Sequence, residues 1–143
     1  MPTIRRLTMA DYEPVIDLWQ RSGLPSIRPT GRDSREEFAK QLEQGQIVIG
    51  LEDNGQLIGV VVATSDTRKG WINRLAIDPA QRRKGYGAQL IHAAEAALRE
   101  AGLKVMAGLI EDYNDASLAL FEREGYTVHR DIYYISKRDS SDA

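Results

Sequence analysis

Two rhythms of apolar residues run along the chain, and the changes between them mark out its elements. Tyr12, Val15, Ile16 and Trp19 recur at i, i+3, i+4 and i+7, which predicts an amphipathic helix packing one face. Thr8 stands where its N-cap belongs, with Asp11 three residues on as a weaker form of the capping box, and Gly23 ends it. Phe38 and Leu42 give a second, shorter helix over residues 34–44, stopped by Gly45. Leu90, Ile91, Ala94, Ala97, Leu98 and Ala101 build a long third helix with Gly102 as its C′ residue. A fourth opens at Asn114, carries Leu118, Leu120 and Phe121, and stops at Gly125.

Strand-like stretches alternate with these helices. Residues 3–7, 46–52, 56–65 and 71–77 read as strands, and Asp53-Asn54-Gly55 supplies the positive φ of a tight hairpin. A second hairpin over 66–70 delivers the strand of Trp71, Ile72, Leu75 and Ile77, which Asp78-Pro79 stops because proline fixes φ and has no amide hydrogen. Residues 104–110 form another apolar strand, reached by a crossover and hence expected parallel to its neighbour. Residues 126–135 are expected to close the fold as one or two strands, followed by a polar, frayed tail from Lys137. The order is β-α-α-β-β-β-α-β-α-β. It predicts a mixed α/β fold, a mainly antiparallel central sheet flanked by helices, in a single domain over residues 1–143.

Composition narrows the function classes. A length of 143 residues with 42% apolar content suits one core. The formal net charge of −2 does not favour nucleic acid or an anionic membrane as partner. Zero cysteines exclude disulfides, thiol nucleophiles and Cys-ligated metals, and fit a reducing cytoplasm. No apolar run approaches the roughly 20 residues of a membrane span, and the N-terminus lacks a signal peptide's apolar stretch. The expectation is a soluble cytoplasmic protein. His92 and His129 are too few and too scattered for a metal site, so no metal is expected.

The candidate chemistry lies between the strand at 71–77 and the long helix. Arg82, Arg83 and Lys84 precede Gly85-Tyr86-Gly87-Ala88 there. The first amides of a helix have no internal partner and point out of its positive dipole end. Glycines let those amides approach an anion, and three neighbouring cations add charge, so the loop suits a pyrophosphate. A solvated basic turn would have the same composition. A Walker A run is absent, and the dinucleotide fingerprint fails because Leu90 stands where its third glycine belongs.

What remains, Arg82-x-x-Gly85-x-Gly87 between strand and helix, resembles the coenzyme A pyrophosphate motif of the GNAT superfamily of N-acetyltransferases. Asn114-Asp-Ala-Ser117-Leu-Ala-Leu-Phe121 through Gly125-Tyr126 resembles the late helix of the same family. The element order is also the family's over essentially the whole chain. The resemblance implies an acyl-CoA N-acyltransferase fold and acetyl-CoA as co-substrate. It implies direct attack by an amine of a small molecule or protein in a ternary complex. By the same resemblance, the thioester arm lies between splayed strands at 71–77 and 104–110, along the backbone of Leu75, Ala76 and Ile77. The Leu75 amide then faces the thioester oxygen as an oxyanion donor, Arg82 to Ala88 hold the pyrophosphate, and Asn114, Ser117 and Phe121 lie along the cofactor.

The proton-transfer groups depart from the family pattern. Positions that often carry a carboxylate are Trp71 and Leu109, and the usual acidic tyrosine is Phe121. Water chains could move the proton, with the thiolate leaving unassisted. Glu111, or one of Tyr113, Tyr126, Tyr133 and Tyr134, could substitute; an exposed loop carboxylate is the plainer reading of Glu111. Weak catalysis in a CoA-binding or sensor module is the third alternative, and nucleotide binding by the same basic loop a further one. The sequence does not name the acceptor, whose choice would be set by the Pro- and Gly-rich loop over residues 22–33, the 66–70 hairpin and the final strands; Arg28 and Arg32 could meet an acidic acceptor, although solvated arginines are the commoner case. Those final strands, if exposed, could pair two copies into a homodimer.

Overall fold

The computed structural model describes residues 1–24, 26–141 and 143. Strand β1 (Thr3–Arg6) leads through a 3₁₀ turn into helix α1 (Tyr12–Arg21), and α2 (Arg35–Glu43) follows. Strands β2 (Ile47–Asp53), β3 (Gln56–Ser65) and β4 (Gly70–Ile77) come next, then α3 (Tyr86–Glu100), β5 (Met106–Ala107) and α4 (Asp115–Arg123). The sheet runs β1-β2-β3-β4-β5, antiparallel except for the parallel β4–β5 pair that the α3 crossover requires.

Period-two alternation sorts the sheet's residues onto two buried faces. Val48, Val60, Val62 and Ala76 pack with Tyr12, Val15, Trp19 and Phe38 under α1 and α2. Ile49, Val61, Ala63 and Ile72 pack with Leu90, Ile91, Ala94 and Leu98 under α3. Because both faces are covered, β3 reads as a continuous apolar run, Leu57 to Ala63 being buried throughout.

Local chemistry set several boundaries as expected. The Thr8 side chain accepts from the Ala10 amide while the Thr8 amide donates to Asp11 Oδ2 at 2.9 Å, closing the capping box over a 3₁₀ turn before α1 begins. Ser34 caps α2 and Asn114 caps α4. Asn54 and Gly55 both take positive φ, 52° and 75°, in a two-residue hairpin.

The C-terminal third differs from expectation in two places. The strand expected over 104–110 is ladder-paired only at Met106 and Ala107. Residues 126–135 form no strand among the described residues, and Ile132, Tyr133, Tyr134 and Ile135 are all at least 67% exposed. A two-residue β5 offers them almost no edge to pair with, and four contiguous apolar side chains do not alternate toward one face.

Candidate functional site

The site is shaped by an irregularity in β4. Val60 pairs with Ala76 and Val62 with Asn73, so Arg74 and Leu75 together oppose the single residue Val61. This is a β-bulge, and its extra residue leaves one backbone unit out of the ladder. Arg74 takes a left-handed φ of 51°, costly for a residue with a Cβ, of order 1–2 kcal/mol. Its contacts over-determine that geometry. The guanidinium forks onto both carboxylate oxygens of Asp33, contacting Oδ2 at 3.1 Å, and stands 4.9 Å from the centre of the Trp19 ring. The indole Nε1 of Trp19 in turn donates to the Arg74 carbonyl at 3.4 Å.

On the opposite edge, β5 leaves β4 just below the bulge. Gly70 pairs with Met106 and Trp71 with Ala107, and there the ladder ends. Gly108 still lies against the Ile72 carbonyl, 2.9 Å from where a Cβ would stand, so only glycine permits that close approach before the backbones part. The remaining six residues of β4, from Ile72 to Ile77, have no β5 partner.

Beyond β4, Asp78 turns the chain. Its carboxylate accepts from the Ala80 amide at 3.0 Å and pairs with Arg21 at 2.7 Å; these two contacts, in that order, hold it below the usual carboxylate range. Arg83 and Gly85 then adopt left-handed φ of 66° and 79°, which swings the chain into α3. Gly85 is the N-cap and brings no side chain to the first-turn amides, and that turn carries no acidic residue. The α3 entrance therefore keeps its positive character open.

The two glycines serve different needs. Gly85 supplies conformation, with open space around its missing Cβ. Gly87 supplies packing room, since a Cβ there would come within 2.8 Å of Leu120 Cδ2 on α4. The three cations are exposed: Arg82 reaches back to the Ser22 carbonyl at 3.3 Å and Lys84 to Gln81 at 2.8 Å.

Around the opening, Leu75 and Ile77 are half-buried while Ala76 is buried against the α1 layer. Tyr86 and Ala88 sit half-buried in the first turn of α3. Asn114 Oδ1 is engaged by the Ser117 amide at 3.2 Å, so this side chain is committed to capping α4. Phe121 is buried in the α3-side core, edge-on to Tyr126 with ring centres 5.0 Å apart.

The groups named for proton transfer are dispersed. Glu111 is exposed in the loop after β5, and Tyr113, Tyr133 and Tyr134 are 70%, 88% and 67% exposed. Tyr126 donates to Glu95 of α3 at 2.6 Å, and burial together with that carboxylate pushes its phenol well above the usual tyrosine range. It is a poor acid there. His92 contacts Glu124 and ties α3 to α4 at the surface.

Sequence reasoning missed the Asp33–Arg74–Trp19 cluster. Its one local signal is a cation, Arg74, placed among apolar residues in a strand buried on both faces. Asp33 is 4% exposed and organises the 26–33 loop: its carboxylate also accepts from the Arg28 amide at 2.7 Å, and its carbonyl accepts from the Tyr12 hydroxyl at 2.6 Å.

Comparison with known proteins points to one family. The chain matches the acetyltransferase (GNAT) family over residues 3–126. Its fold resembles the PaiA N-acetyltransferase of Thermoplasma acidophilum in complex with coenzyme A, with a TM-score of 0.80 at 19% identity over 90% of this chain and 91% of that one. It also resembles AAC(6')-Iy in complex with a CoA–acetylneamine bisubstrate analogue, with a TM-score of 0.79 at 17% identity over 96% and 99% of the two chains. A third similar structure is the ribosomal-protein-S18-alanine N-acetyltransferase of Escherichia coli, at a TM-score of 0.74 and 22% identity over 87% and 77%.

Proposed function

The chain belongs to the GNAT family of acetyltransferases, and on that premise we propose that residues 1–143 act as one domain that transfers an acetyl group from acetyl-CoA to an amine of a small molecule or protein. The observation that carries the reading is the pairing of two features on one strand. At its lower end β4 loses β5 after two residues, and just past its upper end the chain enters an uncapped helix through a left-handed glycine. An extended pantetheine arm fits where the second strand is missing, and a diphosphate fits the helix entrance. Arg82, Arg83, Lys84 and the amides of Gly85 to Ala88 would hold the diphosphate, with Leu75, Ala76 and Ile77 along the arm.

The acetyl-CoA thioester supplies the acyl group and a good leaving thiolate. The amine nitrogen forms a bond to the carbonyl carbon, the carbon–sulfur bond breaks, and the amine's proton passes to solvent. The Leu75 amide, at the bulge, meets charge developing on the carbonyl oxygen, a contribution typically worth about 2.7–4 kcal/mol. Neither Trp71, Leu109 nor Phe121 can carry that proton, and Tyr126 is held by Glu95. A water route, with Glu111 at its exposed mouth, is the reading favoured here.

We place the protein in the cytoplasm, consistent with its lack of cysteine. The exposed apolar run Ile132 to Ile135 supports pairing of two copies into a dimer, which sedimentation at micromolar concentration would detect. The decisive assay is thiol release from acetyl-CoA across an amine panel. CoA binding without thiol release on any amine would favour the non-catalytic sensor reading, and competition by ATP in place of CoA would favour a nucleotide site.

A further inference from the structure

Among the described residues, four non-glycines take a left-handed φ. Asn54, Thr67 and Arg83 lie in connections between elements, and Arg74 lies inside a strand. A strained residue persists only where its surroundings hold it, and such residues cluster at functional sites. Two of the holding contacts at Arg74 come from a single side chain. Trp19, 1% exposed on α1, lies against the Arg74 guanidinium, 4.9 Å from the ring centre, and its Nε1 donates to the Arg74 carbonyl at 3.4 Å. Asp33 fixes the guanidinium from another direction, accepting at 3.1 Å on Oδ2.

A buried indole N–H needs an acceptor, and any carbonyl would satisfy it. The one it takes belongs to the peptide unit that Arg74 shares with Leu75. A trans peptide is planar, with its C=O and N–H on opposite edges. Fixing the Arg74 carbonyl toward α1 therefore turns the Leu75 amide hydrogen away from α1. The ladder does not set this plane: neither Arg74 nor Leu75 has a registered partner on β3, and pairing with β5 ends at Trp71. A hydrogen bond received at the carbonyl also polarises the unit and makes its N–H a stronger donor.

We propose that Trp19 is a positioning residue for acetyl transfer, and that it aims the Leu75 amide at the thioester oxygen through the Arg74–Leu75 peptide plane. The inference rests on the acetyl-transfer reading above and on the oxyanion role given there to Leu75. Trp19 acts through the backbone and not on the substrate. The Asp33–Arg74 pair keeps the left-handed turn that brings this carbonyl within reach of the indole.

The test removes the donor and keeps the ring. Trp19→benzothienylalanine, introduced at this position alone, puts sulfur where the indole N–H stands and leaves the aromatic surface against Arg74. Trp19→Phe removes the donor together with part of the ring. In both, kcat for thiol release should fall at least about tenfold while KM for acetyl-CoA stays within about twofold, because the lost interaction is made in the transition state. A second readout is the infrared stretch of the thioester carbonyl in bound acetyl-CoA, isotope-labelled at that carbonyl. It should rise in frequency in both variants relative to the parent complex, since a weaker hydrogen bond leaves the C=O stiffer. This readout needs no turnover, and a role for Trp19 in packing alone would not move it. A parental kcat in the isosteric variant, an unmoved stretch, or a loss confined to KM would each overturn the proposal. Titration of the parent with CoA reports separately on the acetyl-transfer reading. Absence of binding there sinks both, whereas equal transfer by parent and isosteric variant sinks this inference and spares the other.

Discussion

Two stretches along the chain of β4 and its exit are suited to an anion by opposite means. At the α3 entrance, where we propose that a diphosphate binds, the elements are backbone amides, a left-handed glycine and exposed cations, all within residues 82–88. At the Arg74 bulge, within the strand, they are side chains brought together across 41 residues of sequence, a guanidinium forked onto a buried carboxylate and stacked on an indole ring. The first is local and tolerant, because amide dipoles and solvated charges need no partner elsewhere. The second is non-local and brittle, because an ion pair out of water is strongly destabilised when one member is removed.

The sharpest way to break the comparison is Asp33→Ala. It leaves the half-buried Arg74 without its carboxylate, and the expected cost is about 3 kcal/mol in denaturant unfolding, together with loss of order in the 26–33 loop. CoA affinity measured on the fraction still folded should change little. Gly85→Val should do the reverse. A β-branched residue at φ 79° is strained by about 2 kcal/mol, and CoA affinity should fall at least about tenfold while the Asp33 end is undisturbed.

Phe121→Tyr probes the middle of the site. A hydroxyl placed in the buried space beside Tyr126 should cost about 1 kcal/mol, with little gain in turnover. A large gain would mean that Phe121 faces the thioester and that the missing hydroxyl limits the rate.

Asp78→Asn is expected to give the smallest effect. The charge on Asp78 is stabilised by the Ala80 amide and by Arg21, so its folded value lies below the ordinary 3.8. A depressed carboxylate contributes stability that is fully present above about pH 4 and is lost as pH falls through the lower folded value. The variant should therefore be less stable than the parent by about 0.5 kcal/mol at pH 7, with the gap closing as pH falls below the ordinary carboxylate range. A gap that did not narrow as the carboxylate is protonated would assign the effect to shape and not to charge.

The same contrast explains what the sequence made legible. Helices α1 to α4, the Thr8 cap, the start of α4 at Asn114, the Asn54-Gly55 hairpin and the loop at Arg82 to Gly87 are each written in a few neighbouring residues, and each was readable. The bulge at Arg74 and the buried Asp33 were not, because they depend on which distant residues the sheet and loop bring together. The last strands failed for a related reason. Residues 104–110 and 126–135 have strand-like composition, but ladder pairing needs an edge, and β5 provides two residues of it. Gly87 was readable as a motif position, yet its packing against Leu120 of α4 only appears in three dimensions.

The central claim is that the entrance of α3 grips a diphosphate while the gap beside β4 takes the arm attached to it. Calorimetric titration with CoA and, separately, with pantetheine, which lacks the diphosphate, tests this directly. The account predicts saturable one-to-one binding of CoA and binding of pantetheine weaker by at least about a hundredfold, the scale of several charge-assisted hydrogen bonds. Equal binding of the two, or no saturable heat with CoA at millimolar concentration, would contradict it.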